Sequence, residues 1–496
     1  MEALYTIDDG TKFENGYFIK NPNQTYENYN SDGDFVVTLD NNSSLKERLI
    51  KIIESAEHYI KICSFIISDK EIVGVIEDVL KTNKVAVFIL TSVRMNQFKS
   101  NFLRDDETVN DYKEEHFTCI DKLLRKGAHI RAHEGAHAKF IISDGSKALL
   151  MSANMNETSL NINPESGVLI PGGETINKLE HIFDVIYLYG TEFQRIVPTR
   201  DLTHYIVKTP SINDKMFPEP NGGGLRWTFG SNQNFLYNDI IEITKNAKSK
   251  LDIATYSIVG LEKIQELTKA IDKYINKKNG KLRLFCRAMN HRSDHLKGCR
   301  KLTDLGCTIF GDVYNHSKGM VSDSNQGMIF TANIDGKHGL TNGFEMGFNI
   351  SKEEEYLDSL RDFINWQIDT APYLFVQTTS YKDLKAFYEH HYDVKKVSSP
   401  IKFENEVQVM FRSEKVGEKL INDLINDPPY FSFLKDNKNY NNYSFIRVGE
   451  NYYKLIKENN NNYNLDSEIE SSNKLRYNLQ EEYLWFYNKL SIVKER

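Results

Sequence analysis

The chain contains one stretch twice, and the two copies align without a gap. Residues 127–154 read GAHIRAHEGAHAKFIISDGSKALLMSAN, and residues 306–333 read GCTIFGDVYNHSKGMVSDSNQGMIFTAN. A constant offset of 179 positions superposes the residues that carry chemistry: His137 on His316, Lys139 on Lys318, Asp144 on Asp323, Asn154 on Asn333. Chance supplies one short motif easily, but rarely two in register. An internal duplication therefore constrains the chain to two similar halves.

The correspondence continues upstream and indicates the fold class. Residues 35–67 resemble residues 225–259, and each copy is patterned as strand, loop, amphipathic helix and strand. In the first copy Leu45, Leu49 and Ile52 fall on one helical face. A second helix and further strands follow in both copies. Because strands alternate with helices, we predict a layered α/β domain in each half.

The duplication also sets the predicted domain boundaries. Residues 1–34 are a polar lead-in, residues 35–196 the first lobe, and residues 225–375 the second lobe. The intervening linker, residues 197–224, includes the Pro- and Gly-rich stretch TPSINDKMFPEPNGGG. Residues 376–496 have no counterpart in the duplication, and we predict a smaller C-terminal accessory region there.

The repeated motif brings together residue types that suit phosphoryl transfer. Side chains alternate between the faces of a strand, so His137 and Lys139 point the same way, as do Ser152 and Asn154 in the next strand. The second repeat supplies the matching set: His316, Lys318, Thr331 and Asn333. Cations and neutral donors stabilise charge on phosphoryl oxygens, while imidazoles handle protons and covalency.

The pattern resembles H-x-K-x4-D-x6-G-S-x-N of the phospholipase D superfamily, over roughly residues 35–370. It is met in order at His137, Lys139, Asp144, Ser152 and Asn154, and again at His316, Lys318, Asp323, Thr331 and Asn333. Two departures occur. Met151 and Phe330 replace the usual glycine, which is expected to tighten the space beside the phosphate, and Thr331 replaces serine.

The resemblance implies a fold and a mechanism. The fold is bilobed, with two pseudo-twofold-related α/β/α lobes, mixed sheets and one site at their interface. One histidine attacks phosphorus to give a phosphohistidine, and the other protonates the leaving oxygen and then activates water. No metal or other cofactor is implied. By analogy the roles are nucleophile for His137, acid for His316, orientation of the imidazoles for Glu165 and Glu345, and bracing of the strands for Asp144 and Asp323.

A basic run next to the second motif bears on the substrate. Residues 277–301 contain nine Lys or Arg and one acid, in a chain of net charge -7. The predicted substrate-binding rim comprises Arg94, Asn96, Arg287, Asn290 and Arg292. A basic rim beside a phosphate-cleaving centre favours DNA or RNA, so we predict a nuclease. A solvated helix and loop without a ligand would explain the same run.

Two alternatives stay open. The first is a phospholipase D or phosphatidyl transferase acting on phospholipids, for which the sequence offers no basic amphipathic helix and no lipidation signal. The second is a catalytically silent nucleic-acid-binding module that keeps the fold. Members of this type often serve in bacterial restriction or phage defence, a link that rests on family-level analogy.

Compartment is indicated by several weak patterns that agree. The N-terminus has no basic start followed by an apolar stretch, and no run approaches the roughly 18 apolar residues of a membrane span. The five cysteines form no CxxC pair, so free thiols in a reducing compartment explain them better than disulfides or zinc. These patterns predict a cytoplasmic protein without a transmembrane segment.

Overall fold

Segments with the apolar spacing of strands alternate along the chain with segments that have the spacing of helices. In a computed structural model these segments form strands and helices. It describes residues 16–29, 33–40, 42–82, 85–93, 111–195, 205–207, 209–220, 223–290, 292–337, 339–377, 443–448, 451–457, 463–467 and 475–476. The described residues group into two units. The core unit lies within residues 23–288 and 297–372, and the smaller unit lies within residues 1–22, 289–296 and 373–496.

The first repeat forms a mixed sheet with helices. The strands up to residue 207 are β1 (Tyr17–Lys20), β2 (Phe35–Thr38), β3 (Tyr59–Cys63), β4 (Ala86–Thr91), β5 (His129–Ala132), β6 (Phe140–Ser143), β7 (Lys147–Met151), β8 (Glu165–Leu169), β9 (Phe193–Arg195) and β10 (Tyr205–Val207). The helices are α1 (Ser44–Glu54), α2 (Lys70–Thr82), α3 (Asp111–Arg125), α4 (Glu157–Asn161) and α5 (Glu174–Val185). The sheet order is β10-β9-β5-β4-β3-β6-β7-β8-β2, and β3, β4 and β5 run parallel.

The second repeat forms a sheet of the same design. Its strands are β11 (Leu225–Phe229), β12 (Gln233–Asn234), β13 (Lys250–Ala254), β14 (Ile258–Val259), β15 (Lys281–Arg287), β16 (Thr308–Asp312), β17 (Gly319–Ser322), β18 (Gly327–Phe330), β19 (Ile334–Asp335) and β20 (Phe344–Asn349). The helices are α6 (Phe235–Asn246), α7 (Gln265–Asp272), α8 (Ser293–Asp304) and α9 (Glu354–Asp369). The order within the core unit is β16-β15-β13-β17-β18-β20-β11-β12.

The two sheets match strand for strand. The order β5-β4-β3-β6-β7-β8-β2 of the first repeat equals β16-β15-β13-β17-β18-β20-β11 of the second. The parallel pairs also correspond, since β3 beside β4 and β4 beside β5 match β13 beside β15 and β15 beside β16. The predicted α/β fold of two similar lobes with mixed sheets is confirmed.

A shared hydrophobic core joins the repeats. The amphipathic helix α1 buries Leu45 and Leu49 in a core that belongs to the first repeat. A second core combines residues of both repeats, and Phe140 and Phe344 meet there edge to face at 6.2 Å between ring centroids. Trp227 is fully buried in the same core. Close-packed interiors have low compressibility, so this core fixes the two motif strands relative to each other.

The smaller unit contains a strand from the predicted polar lead-in. β1 pairs antiparallel with β21 (Tyr373–Val376), and Tyr17 and Phe18 are buried. Its C-terminal part shows an antiparallel sheet of β22 (Tyr443–Val448), β23 (Asn451–Lys457), β24 (Tyr463–Ser467) and β25 (Leu475–Arg476). Most of residues 376–496 lie outside the described residues, so the predicted accessory region and the domain boundaries stay predictions.

None of the described helices has both the length and the apolar character required to cross a bilayer.

Candidate active site

Each histidine of the paired motif is held by the backbone of the opposite repeat. His137 lies just before β6, and His316 lies just before β17. The amide of His137 donates to the carbonyl of Phe344 at 3.0 Å, and the amide of His316 donates to the carbonyl of Pro164 at 3.1 Å. Phe344 and Pro164 each come directly before a glutamate of the other repeat. The chain thus seats each histidine beside a carboxylate from the other half.

The resulting histidine–glutamate pairs are crossed. His137 Nδ1 lies 2.7 Å from Glu345 Oε1, and His316 Nδ1 lies 2.6 Å from Glu165 Oε1. Both carboxylates are buried. The sequence predicted that these glutamates orient the imidazoles, but it did not predict which carboxylate serves which ring. With Nδ1 engaged, Nε2 is the ring nitrogen that is left for chemistry.

Hydroxyl groups hold the two carboxylates in place. Ser152 Oγ donates to Glu165 Oε2 at 2.5 Å, and Thr331 Oγ1 donates to Glu345 Oε2. Each hydroxyl also accepts a backbone amide at 3.0 Å, from Ser166 and from Met346 respectively. The hydroxyls therefore lie behind the carboxylates, and the replacement of serine by threonine keeps the bond.

Two buried ammonium groups accompany the imidazoles. Lys139 and Lys318 are fully buried, and each Nζ donates at 2.6 Å to the carbonyl of the histidine two residues earlier. Lys318 Nζ also lies 3.2 Å from His316 Nδ1. Burying positive charge is costly without a partner, so a site with two such groups is suited to an anion such as a phosphoryl group.

The two motif asparagines are buried as well. Asn154 is 1% exposed and Asn333 is 5% exposed. Among the described residues, no group donates a hydrogen bond to the side-chain oxygen of Asn333. Buried polar atoms normally have partners, so the Asn333 side-chain oxygen can accept a hydrogen bond from a ligand that carries a donor.

The electrostatic environments of the two pairs differ. Burial, followed by the positive charges of Lys318, Lys139, His137 and Arg287, holds the pKa of His316 well below its ordinary value. Burial also raises the pKa of its partner Glu165 to about 7.

The other pair retains its charge. Burial by itself would raise the pKa of Glu345, but the charge and hydrogen bond of His137, with help from Lys139 and Thr331, outweigh it. The pKa of Glu345 is therefore lowered. One imidazole thus faces an ionised carboxylate, while the other is held neutral.

An aromatic ring flanks each imidazole, a feature that the sequence analysis missed. Phe65 packs edge to face on His137 at 5.2 Å between centroids, and Tyr256 packs in the same way on His316 at 5.1 Å. The Arg287 guanidinium lies 5.4 Å from the centre of the Tyr256 ring. The signal was available, because CSFII and ATYSIV align in the duplication and place both aromatics at the same position.

The bulky residues that replace the motif glycine pack into the protein interior. Met151 and Phe330 are fully buried, and Met151 belongs to the core of the first repeat. Their partners across the sheet are Gly167 and Gly347, where an added Cβ would come within 3.1 Å of Met151 Cβ and 3.3 Å of Phe330 Cβ. A glycine thus lies opposite each bulky residue, and it leaves room within the sheet for the Met151 and Phe330 side chains.

The motif aspartates act on the backbone. The Asp144 carboxylate accepts amides from Glu57, His58 and Tyr59 at 2.8–2.9 Å, at the start of β3. Asp323 accepts the amides of Lys248 and Ser249 and the Ser249 hydroxyl at the matching place before β13. Each aspartate thus contacts the backbone that leads into a strand, and its bracing role stays a prediction.

We expect Asp144→Asn to destabilise the protein without abolishing activity. Burial opposes ionisation, but the backbone donors of Glu57, Tyr59 and His58 lower the pKa of Asp144. A carboxylate with a lowered pKa stabilises the fold at pH values above the ordinary Asp pKa of about 4. This contribution is lost as the pH falls from that value through the lowered pKa of the folded protein. Chemical unfolding should show a loss of about 1 kcal/mol at pH 7 and a smaller loss at pH 3. The control Asp78→Asn, at an exposed position, should show neither.

The predicted rim residues have separate outcomes. Arg287 lies beside Tyr256, as described above. Asn290 is 2% exposed, and its amide pairs with the backbone nitrogen and oxygen of Phe18 at 2.8 and 2.9 Å. Arg292 is buried and ion-paired with Asp294 at 3.0 Å. Arg94 and Asn96 lie outside the described residues. A role in the substrate-binding rim therefore stays a prediction for Asn290, Arg292, Arg94 and Asn96, and Arg287 lies next to an aromatic ring of the site.

Three comparisons connect this site to known proteins. A family model described as "Cardiolipin synthase, PLD-like domain" matches residues 49–187. No curated protein sequence matches the chain. The structure of a phosphatidylserine synthase from Haemophilus influenzae Rd KW20 is similar, with a TM-score of 0.50 and 13% identity, over 73% of this chain and 91% of that one. At this identity the likeness shows the fold.

Two further structures are more distant. Polyphosphate kinase from Porphyromonas gingivalis gives a TM-score of 0.43 and 12% identity, over 66% of this chain and 46% of that one. Nuc from Salmonella typhimurium, a phospholipase D family member, gives a TM-score of 0.25 and 17% identity, over 30% of this chain and 91% of that one. Both TM-scores lie below 0.5.

The family model covers the first copy of the motif, and the similar fold extends over most of the chain. The second copy repeats the residues of the first in the same structural positions. Residues 49–187 are thus similar in sequence to a PLD-like domain, and the chain is similar in fold to the phosphatidylserine synthase.

Proposed function

We propose that this protein is a nuclease that cleaves phosphodiesters through a phosphohistidine intermediate. The observation that carries the chemistry is the pair of crossed contacts, His137 to Glu345 and His316 to Glu165. One imidazole serves as nucleophile, while the other acts first as general acid and then as general base. The catalytic set is His137, Lys139, Asn154, Glu165, His316, Lys318, Asn333 and Glu345.

The buried lysines and asparagines would bind the transferred phosphoryl group. Charge builds on the non-bridging oxygens during displacement, and fixed donors in a dry site stabilise that charge without reorganisation. Lys139 and Lys318 supply positive charge from opposite repeats. Ser152 and Thr331 contribute indirectly, by holding the carboxylates that orient the imidazoles.

Nucleic acid is the substrate class that Arg287 favours. This arginine is partly exposed, stacks on Tyr256 and contributes to the positive field at His316. A guanidinium on an aromatic ring beside the scissile phosphate suits a polyanion with neighbouring phosphates. Part of the surrounding basic run is neutralised, because Arg283 pairs with Asp252 and Arg300 with Asp304. The proposed electrostatic footprint therefore centres on Arg287.

A phospholipid substrate is the second candidate. It is favoured by the family model, whose description names a cardiolipin synthase. A silent binding module fits less well, because both histidines, lysines, asparagines and glutamates of the motif are present. A role in bacterial restriction or phage defence continues to rest on family analogy.

One set of assays separates these functions. The purified protein is incubated with labelled single-stranded DNA, double-stranded DNA, RNA and phospholipid vesicles, with EDTA present. Cleavage of a nucleic acid supports the nuclease, and headgroup release or exchange supports the lipid enzyme. Binding of DNA without turnover of any substrate would overturn the catalytic proposal and favour the binding module.

Replacing Arg287 should weaken nucleic-acid binding. We expect Arg287→Gln to raise the Kd for DNA or RNA several-fold and to flatten the plot of log Kd against log salt by about one unit, since one phosphate contact is lost. The control Lys51→Gln removes an exposed charge from α1 of the first repeat and should leave the salt slope unchanged. An unchanged slope in Arg287→Gln would remove this residue from the substrate interface.

A further inference from the structure

We propose that His316 is the nucleophile and His137 the general acid and base, the reverse of the assignment made by analogy. This inference rests on the proposed phosphodiesterase function and assigns its two halves. The sequence motifs are symmetric, so they do not distinguish the histidines. The surroundings of the two rings in the structure are not symmetric.

The residues on either side of His316 belong to a buried polar network. Asn315 Nδ2 donates to the Thr255 carbonyl at 2.9 Å, and Asn315 Oδ1 accepts the Ser317 hydroxyl at 2.8 Å. Gln367 of α9 donates to the same hydroxyl at 2.8 Å. These hydrogen bonds hold the residues on both sides of His316 in place.

The two positions that flank His137 in the first repeat carry no polar side chains. The residues that the duplication superposes on Asn315 and Ser317 are Ala136 and Ala138, whose methyl groups are buried in the hydrophobic core. A nucleophile must be held close to the position of attack, since a misplacement of about 1 Å costs on the order of 10²-fold in rate. The side-chain contacts of Asn315 and Ser317 therefore favour His316 as the nucleophile.

Solvent access distinguishes the rings in the same direction. The side chain of His137 is 18% exposed, whereas that of His316 is 5% exposed. Within each cycle the leaving group must depart past the general acid, and water must reach the same residue when it acts as base. Its imidazole therefore needs contact with solvent. The buried ring also has the lowered pKa described above, which keeps its lone pair available at neutral pH.

Charge around the site adds a third difference. Arg287 lies at the end of β15, two residues past Phe285, which pairs with Ala254. The matching position past Leu90 is Ser92, whose hydroxyl donates to the Glu134 carbonyl at 2.9 Å. Arg287 is thus a cation beside His316, and it would draw the anionic phosphodiester toward the nucleophile's side, whereas the matching strand position is the neutral Ser92.

Two displacements at phosphorus make up the proposed reaction, the first by His316 and the second by water. The lone pair on Nε2 of His316 attacks phosphorus, the bond from phosphorus to the leaving oxygen breaks, and that oxygen takes a proton from Nε2 of His137. Glu165 stabilises the positive charge that develops on the phosphorylated ring. Neutral His137 then takes a proton from water, the hydroxide attacks phosphorus, and the electron pair of the phosphorus–nitrogen bond returns to His316.

Trapping the covalent enzyme tests the assignment. The substrate is bis(p-nitrophenyl) phosphate, whose leaving group departs without an acid. We expect His137→Asn to release about one equivalent of p-nitrophenol in a burst and then stall, because the second step lacks its base. Peptide mass spectrometry after a neutral quench should place the phosphoryl adduct on His316. We expect His316→Asn to show neither burst nor adduct.

A wild-type sample quenched within its first turnover gives the same information if a variant fails to fold. An adduct on His137, or a burst from His316→Asn, would overturn the assignment while leaving the phosphodiesterase function standing. Turnover by the wild type without any adduct would also overturn it, in favour of direct attack by water. Failure of the wild type to cleave both this substrate and nucleic acid would instead defeat the proposed function.

Discussion

Steady-state turnover should fall by at least about 10³-fold in His137→Asn and equally in His316→Asn, because residues that act as one catalytic unit are not additive. The structure supplies the reason. Each imidazole is bound to a carboxylate of the other repeat, so neither repeat has a complete site by itself. The double variant should be no slower than either single variant.

The measurement is the initial rate of phosphodiester cleavage, with the melting temperature recorded for each variant. Asparagine keeps a polar side chain of smaller volume, and the backbone bonds from His137 to Phe344 and from His316 to Pro164 are retained. His58→Asn is the matched control, since that imidazole is exposed. Substantial activity in either single variant, with the fold intact, would exclude a shared site.

Replacing Glu345 should disturb the histidine of the other repeat. The charge of His137 lowers the pKa of Glu345, so by linkage the Glu345 carboxylate favours the protonated form of His137. In Glu345→Gln this stabilisation is absent, and His137 loses its proton at a lower pH. Activity should then decline earlier as the pH rises, which moves the optimum to lower pH, and we expect kcat to fall by about 10²-fold near neutral pH.

Imidazole NMR with nitrogen-15 histidine gives the decisive measurement. The titration of His137 should shift in Glu345→Gln and stay in place in Glu165→Gln, although Glu165 is the closer residue in sequence. The resonances of His316 should respond to Glu165→Gln, because Glu165 is its hydrogen-bond partner. A shift of His137 in Glu165→Gln alone would contradict the crossed pairing.

Catalytic power and stability are coupled in this arrangement. The shared core of both repeats holds the motif strands together, and the backbone bonds of His137 and His316 cross between repeats. Substitutions that loosen this core should therefore reduce activity before they unfold the chain. The buried lysines add to this dependence, since their charge is tolerated only where the surrounding carbonyls and carboxylates are held in position.

Much of the fold followed from the sequence. A gapless repeat of charged and polar residues predicts two similar halves, each with its motif residues at matching positions. Strand periodicity predicts that alternate residues lie on one face. The matched order of the two sheets confirms that prediction. Local pattern also located the residues of the site, because the motif identifies His137 and Lys139 by their spacing, although both lie just before β6 rather than within it.

The crossed carboxylates and the asymmetry of the two halves were decided by tertiary structure. Glu165 and His316 are 151 positions apart, and no local periodicity links them. Only packing of the two repeats through their common core brings their backbones into hydrogen-bonding range. In the same way Gln367 meets Ser317 through the placement of α9, which a motif does not encode. Sequence determined which groups exist in duplicate, whereas three-dimensional packing determined their partners, because pairing across a core depends on long-range burial rather than on spacing along the chain.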